Sequence, residues 1–108
     1  ENGHFLGGFI LPGFDLMRAA LARRTANLPF ANGDWQPYPR CTDDAIASGC
    51  LEAQSGAIER SFRRIAHHRQ ALCLLFGGGA PLLSPLLSIP CRIVPTLALD
   101  GLAFMAVD

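Results

Sequence analysis

Apolar residues along this chain recur at two different periods, and the change of period divides it into elements. Phe5, Leu6, Phe9 and Ile10 cluster around Gly7 and Gly8, which predicts a short strand passing close to another backbone at the glycines. Leu11-Pro12-Gly13 ends it. Phe14, Met17, Leu21 and Leu28 then fall at helical spacing, with Arg18, Arg23 and Arg24 mostly off that stripe, and predict a helix closing near Leu28-Pro29. Residues 30–40, with Asn32-Gly33 and three prolines counted from Pro29, read as a loop. Thr42-Asp43-Asp44 has the chemistry of a helix start: a hydroxyl for the N-cap position, then two acids facing the positive end of the dipole. Ile46, Cys50, Ala53, Ala57, Phe62 and Ile65 carry that helix through about 25 residues. Gly49, Ala53 and Gly56 offer it a small-residue face for a close neighbour.

Beyond this helix the elements shorten. Ala71 to Phe76 is too short for a helix and is bounded by glycines, which predicts a buried strand. Ala80 to Leu87 suits a short helix with Pro81 in its first turn. Cys91 to Val94 reads as a further strand and Leu97 to Val107 as a closing helix. The order β-α-loop-α-β-α-β-α predicts one layered α/β domain over residues 1–108, with at least part of its sheet parallel. The uncharged run from Ala71 to Cys91 has the length of a membrane span. Its three consecutive glycines and Pro81, Pro85 and Pro90 would leave backbone groups unpaired in lipid, which argues against one.

Composition narrows the class. Half of the 108 residues are hydrophobic and 17% are charged, as in a globular chain of one domain. Nine basic residues, all arginine, balance nine acidic ones, so there is no net positive field to attract nucleic acid. Cys41, Cys50, Cys73 and Cys91 form no CxxC pair and are expected as reduced thiols. Glu1-Asn2-Gly3-His4 has no basic leader, and a cytoplasmic location is the expectation.

The candidate chemistry lies in two places. Gly77-Gly78-Gly79-Ala80-Pro81 lacks the Lys and Ser or Thr of a phosphate loop, and the spacing and later acid of a dinucleotide fingerprint. A tight structural turn and a contact for a flat base and ribose both remain open for it. Thr42 is the second: its hydroxyl either caps its own helix or reaches a polar ligand at the helix N-terminus. Asp43 and Asp44 read as dipole partners and not as catalytic bases. Elsewhere, His67-His68 are adjacent and have no ligand partner at i+3 or i+4, so they read as a solvated helix end. Arg60, Arg63, Arg64, His67, His68 and Arg69 gather where a helix dipole is negative, and read as dipole compensation or an anion or partner site.

Taken in order, GGFILPG (Gly7–Gly13), DLM…L…TANLP (Asp15–Pro29), CTDDAIASG (Cys41–Gly49), FGGGAPLL (Phe76–Leu83) and VPTLALDGLA (Val94–Ala103) resemble the C-terminal half of type III pantothenate kinases. The resemblance covers essentially the whole chain and implies one domain of the actin-like, acetate and sugar kinase (ribonuclease H-like) fold. It implies phosphorylation of pantothenate by ATP, the first step toward coenzyme A, with Mg2+ and a monovalent cation (K+ or NH4+), in a cytoplasmic homodimer. In such enzymes the Thr opening the long helix contacts pantothenate, which here is Thr42. The glycine turn lies on the adenosine side of ATP, which here is Gly77, Gly78, Gly79 and Ala80, with Phe76 and Gly79 where Thr and Asp are commoner. The family's Asp-x-Gly-Asn phosphate motif, its Gly-x-Asp-Arg motif with the catalytic base, and its potassium-binding Asp belong to the front half. The resemblance therefore places no catalytic residue and no metal ligand in this chain, and implies a front half outside it. The rival readings are a non-enzymatic regulatory protein on the same fold, since such proteins are also described as transcriptional accessory factors, and another kinase of the superfamily.

Overall fold

The computed structural model describes residues 5–24 and 33–94, with backbone alone at 22–24. In chain order it holds α1 (Phe14–Arg24), α2 (Thr42–Arg63), β1 (Cys73–Leu75), α3 (Ala80–Leu83), a 3-10 turn (Ser84–Leu86) and β2 (Cys91–Ile93). The closing helix expected over Leu97–Val107 and the end of the first helix near Leu28 lie outside the described residues.

β1 and β2 pair in parallel, with Cys73 opposite Cys91, Leu74 opposite Arg92 and Leu75 opposite Ile93. Parallel neighbours need a crossover, and α3 with the 3-10 turn supplies it. The ladder extends beyond the strands at both ends: Cys73 N–H donates to Pro90 O at 2.9 Å, and Val94 N–H to Leu75 O at 2.8 Å. This confirms a parallel α/β arrangement. The burial expected of the first of these strands is not found. Cys73 and Leu75 are half-buried and Leu74 is exposed, because each strand has one partner among the described residues.

α2 is the spine. Its buried residues are Ala47, Ser48, Cys50, Leu51 and Ser55, and beyond it only Ala80 is buried among the described residues. Positions 47, 51 and 55 recur every four residues, so they stack along one stripe. The close approach expected at Gly49, Ala53 and Gly56 is not found among the described residues: all three are exposed, and no atom of those residues lies within 4 Å of a Cβ placed on either glycine. The stripe through Ala47 faces roughly the opposite side of the helix, since two residues turn it by about 200°.

The short strand expected over Phe5–Ile10 is absent as well. That segment is irregular, and Phe5, Leu6, Phe9 and Ile10 are 73% to 103% exposed. A strand needs a ladder partner, and none of the described residues provides one. The segment is anchored at its end. Gln54 Nε2 donates to Pro12 O, and Met17 N–H donates to Gly13 O at 2.9 Å, so α1 starts where α2 clips it.

Candidate functional site

The start of α2 is built differently from what its sequence suggests. Ala45 N–H donates to Cys41 O at 2.9 Å, so the helical ladder begins on the Cys41 carbonyl. Cys41, with φ −128° and ψ 161°, is therefore the N-cap, and no side chain caps the helix. Thr42 stands one place later, in the first turn, and is exposed; its hydroxyl makes no hydrogen bond among the described residues. The capping role open to it on sequence grounds is thus taken by a neighbour's backbone, which leaves the hydroxyl available.

Around this turn the loop 33–36 is stitched to the helix. Asp34 N–H donates to Asp44 Oδ1 at 2.9 Å, and Gln36 N–H donates to Ser48 Oγ at 2.8 Å. Ser48 Oγ in turn donates to Asp34 O at 3.5 Å. Gly33 lies so near that a Cβ there would overlap the Asp43 carbonyl and the Asp44 nitrogen. Asp44 is thus a loop anchor, not only a dipole partner. Gly33 and Ser48 were not legible as site residues, because nothing local in the sequence announces a contact across twelve positions. Trp35 Nε1 is buried with no hydrogen-bond partner among the described residues, though buried indole N–H groups usually have one.

A cavity of about 370 Å³ opens between α1 and α2, lined on the α2 side by Ala45, Ile46, Gly49 and Cys50, and on the α1 side by Leu16, Met17, Ala20 and Leu21. Thr42, Ala45, Ile46, Gly49 and Cys50 follow the i, i+3, i+4, i+7, i+8 rule, so Thr42 continues the cavity's α2 wall by one turn. An apolar cleft of this size with one polar group at its edge suits part of a small organic substrate. Burial pushes the Cys50 thiol up from its ordinary range, against the opposing pull of Arg18, so it stays protonated at neutral pH.

The glycine turn is a separate structure. Gly77 adopts φ +97°, a conformation that favours glycine, and Ala80 N–H donates to Gly77 O at 3.2 Å. Gly77 and Gly78 are exposed, and no atom lies within 4 Å of a Cβ placed at Gly77, Gly78 or Gly79. Ala80, by contrast, is 3% exposed and anchors α3 beneath the turn. The arrangement is a backbone platform with no atom of the described residues over its three glycines.

Thr42 and the glycine turn are not joined by any hydrogen bond among the described residues. Glu59 Oε2 accepts from Ser88 N–H at 2.8 Å and Ser88 Oγ–H at 3.1 Å, tying the connection after α3 to the far part of α2. At about 1.5 Å per residue, Glu59 lies roughly 25 Å along the helix from Thr42. His67 and His68 stack on each other, with ring centroids 4.1 Å apart, and Arg64 lies 5.5 Å above the Phe9 ring. The four cysteines are free thiols.

Helices and a two-stranded parallel sheet joined by a crossover make this an α/β unit. The family model for type III pantothenate kinase matches residues 1–64. Type III pantothenate kinases of Aromatoleum aromaticum, Azoarcus sp. and Dechloromonas aromatica are 60%, 51% and 50% identical to it over 105 residues. Each alignment covers 97% of this chain and 43%, 40% and 44% of the relative, respectively. The chain belongs to the type III pantothenate kinase family. It spans less than half the length of these relatives.

Proposed function

We propose that this chain is the C-terminal part of a kinase that transfers phosphate from ATP to pantothenate, built on the actin-like kinase fold. The observation that carries the reading is family membership together with an exposed Thr42, one helical turn before the residues of α2 that line an apolar cleft, whose hydroxyl has no hydrogen-bond partner among the described residues. Thr42 would hydrogen-bond the polar end of pantothenate, with the cleft between α1 and α2 taking apolar surface. Gly77, Gly78, Gly79 and Ala80 would form the floor beneath the adenosine of ATP.

In-line phosphoryl transfer needs positioned reactants and charge neutralisation at the transferring group. In this reading the residues of this chain bind and orient, and the base for the attack comes from the rest of the protein. Mg2+ and the monovalent cation would be held mainly by the part of the protein outside this chain; among the described residues there is no group of three or more His, Cys, Asp or Glu that could hold a metal ion. A homodimer in the cytoplasm completes the proposal. On the membrane question, no described helix is long and apolar enough to cross a bilayer.

The test is ADP release by the full-length gene product with ATP, Mg2+ and pantothenate, with potassium present and then absent. Turnover that requires pantothenate and rises with potassium is the expected result. No turnover in either condition would overturn the reading and favour a regulatory role for the fold.

A further inference from the structure

Two of the four thiols stand opposite each other across the sheet. Cys73 and Cys91 are register partners on adjacent parallel strands, so their side chains leave the same face of the sheet. Both are half-buried, and Cys73 also lines the larger cavity, of about 830 Å³, between segment 6–11 and the second half of α2. A small oxidant can therefore reach the pair. Cys91 Sγ lies 3.8 Å from Ser84 Oγ, a weak polar partner at the end of the crossover. Cys41 is exposed and Cys50 is buried on α2, and neither shares this register.

We infer that Cys73 and Cys91 form a reversible cross-strand disulfide under peroxide, closing the crossover that carries the Gly77–Ala80 turn into a covalent ring. Adjacent strands lie roughly 4.8 Å apart, within the roughly 4.4–6.8 Å that separates the Cα atoms of a relaxed disulfide, so the pair can close with little movement of the strands. Because both residues are only half-buried, glutathione can reach the bond, in the manner of exposed, regulatory disulfides. Burial, with the neighbouring Cys91 adding to it, raises the Cys73 thiol above its usual range, so Cys73 serves as the resolving group. In the first step Cys91 Sγ attacks hydrogen peroxide: an S–O bond forms, the O–O bond breaks, and water leaves. In the second step Cys73 Sγ attacks the Cys91 sulfenic acid. The S–S bond forms, the S–O bond breaks, and the Cys73 proton departs with the second water. The sulfur pair loses two electrons and the peroxide gains them.

The full-length protein is treated with hydrogen peroxide in its native state, its free thiols are alkylated, and its peptides are mapped by mass spectrometry without reduction. The expected result is a Cys73–Cys91 crosslink as the dominant oxidised species, lost on adding excess glutathione, with Cys41 and Cys50 alkylated. In Cys73→Ser the crosslink disappears and dimedone labels Cys91. Alkylation of both Cys73 and Cys91 in peroxide-treated wild type would overturn the inference. So would a dominant crosslink of either one to Cys41 or Cys50, or a bond that survives excess glutathione. The readout is chemical, so it stands whether or not the protein phosphorylates pantothenate.

Discussion

Thr42 at the start of α2 and Gly77 and Gly78 in the Gly77–Ala80 turn are exposed, and the two regions are held in place by opposite means. At the start of α2, side chains do the fixing: Asp44 and Ser48 bind the backbone of loop 33–36, and Gly33 presses against the helix. At the turn no side chain contributes. Gly77 supplies a positive φ, space stands open over three glycines, and buried Ala80 anchors the platform from below. A side-chain network aims one polar group at one point, which suits a hydrogen bond to a small substrate. A bare backbone accepts any flat surface, which suits a base and ribose. The two regions should therefore answer mutation differently.

The largest expected effect is at Gly33. Gly33→Ala drives a methyl into the Asp43 carbonyl, and overpacking of this kind typically costs about 1–3 kcal/mol. Chemical unfolding of the full-length protein should show the loss; an unchanged midpoint would mean that the loop is not seated on α2. Thr42→Val comes next. It would remove the hydrogen bond proposed between this exposed hydroxyl and the substrate, so the Michaelis constant for pantothenate should rise about tenfold, with that for ATP nearly unchanged. Equal shifts for both substrates would erase the functional distinction between the two regions.

Ser48→Ala removes the acceptor of the Gln36 N–H and should cost about 1 kcal/mol in the same unfolding measurement. Gly78→Ala is the contrasting case at the turn. With open space around it and no positive φ, stability should move by less than about 0.5 kcal/mol, while the Michaelis constant for ATP rises. A Gly78→Ala protein that binds ATP normally would make the turn a structural one.

The smallest effect is the pH response of the strut from Ser88, after the 3-10 turn, to Glu59 in the far part of α2. The backbone and then the hydroxyl hydrogen bond from Ser88 hold the Glu59 carboxyl below its ordinary range. A depressed folded-state value means that the stabilisation is complete above the unfolded-state value of about 4.3 and fades as pH falls through the folded-state value. Wild type should thus lose slightly more stability than Glu59→Gln between about pH 5 and 3. Parallel curves for the two proteins would show that the strut is absent in solution.

Local pattern carried most of the elements. α2 is recognisable from its acidic first turn and long apolar repeat, and the parallel pair β1–β2 from two short runs separated by a glycine turn and a proline-led helix. The errors share one cause. Phe5–Ile10 has the composition of a strand, yet pairing depends on a partner that composition does not name. Thr42 has the chemistry of an N-cap, but where a helical ladder begins depends on backbone geometry, and Cys41 took the position. Gly49, Ala53 and Gly56 look made for close contact, but the face a helix buries depends on what packs against it.

By itself, the sequence determined the helices, the crossover, the glycine turn and the family, because propensity, spacing and motif order are local or linear properties. Only the tertiary structure decided that Gly33 and Ser48 hold the loop at the start of α2, that Cys41 and not Thr42 takes the N-cap position, and that Cys73 faces Cys91. These are meetings between residues far apart in the chain, set by packing and register.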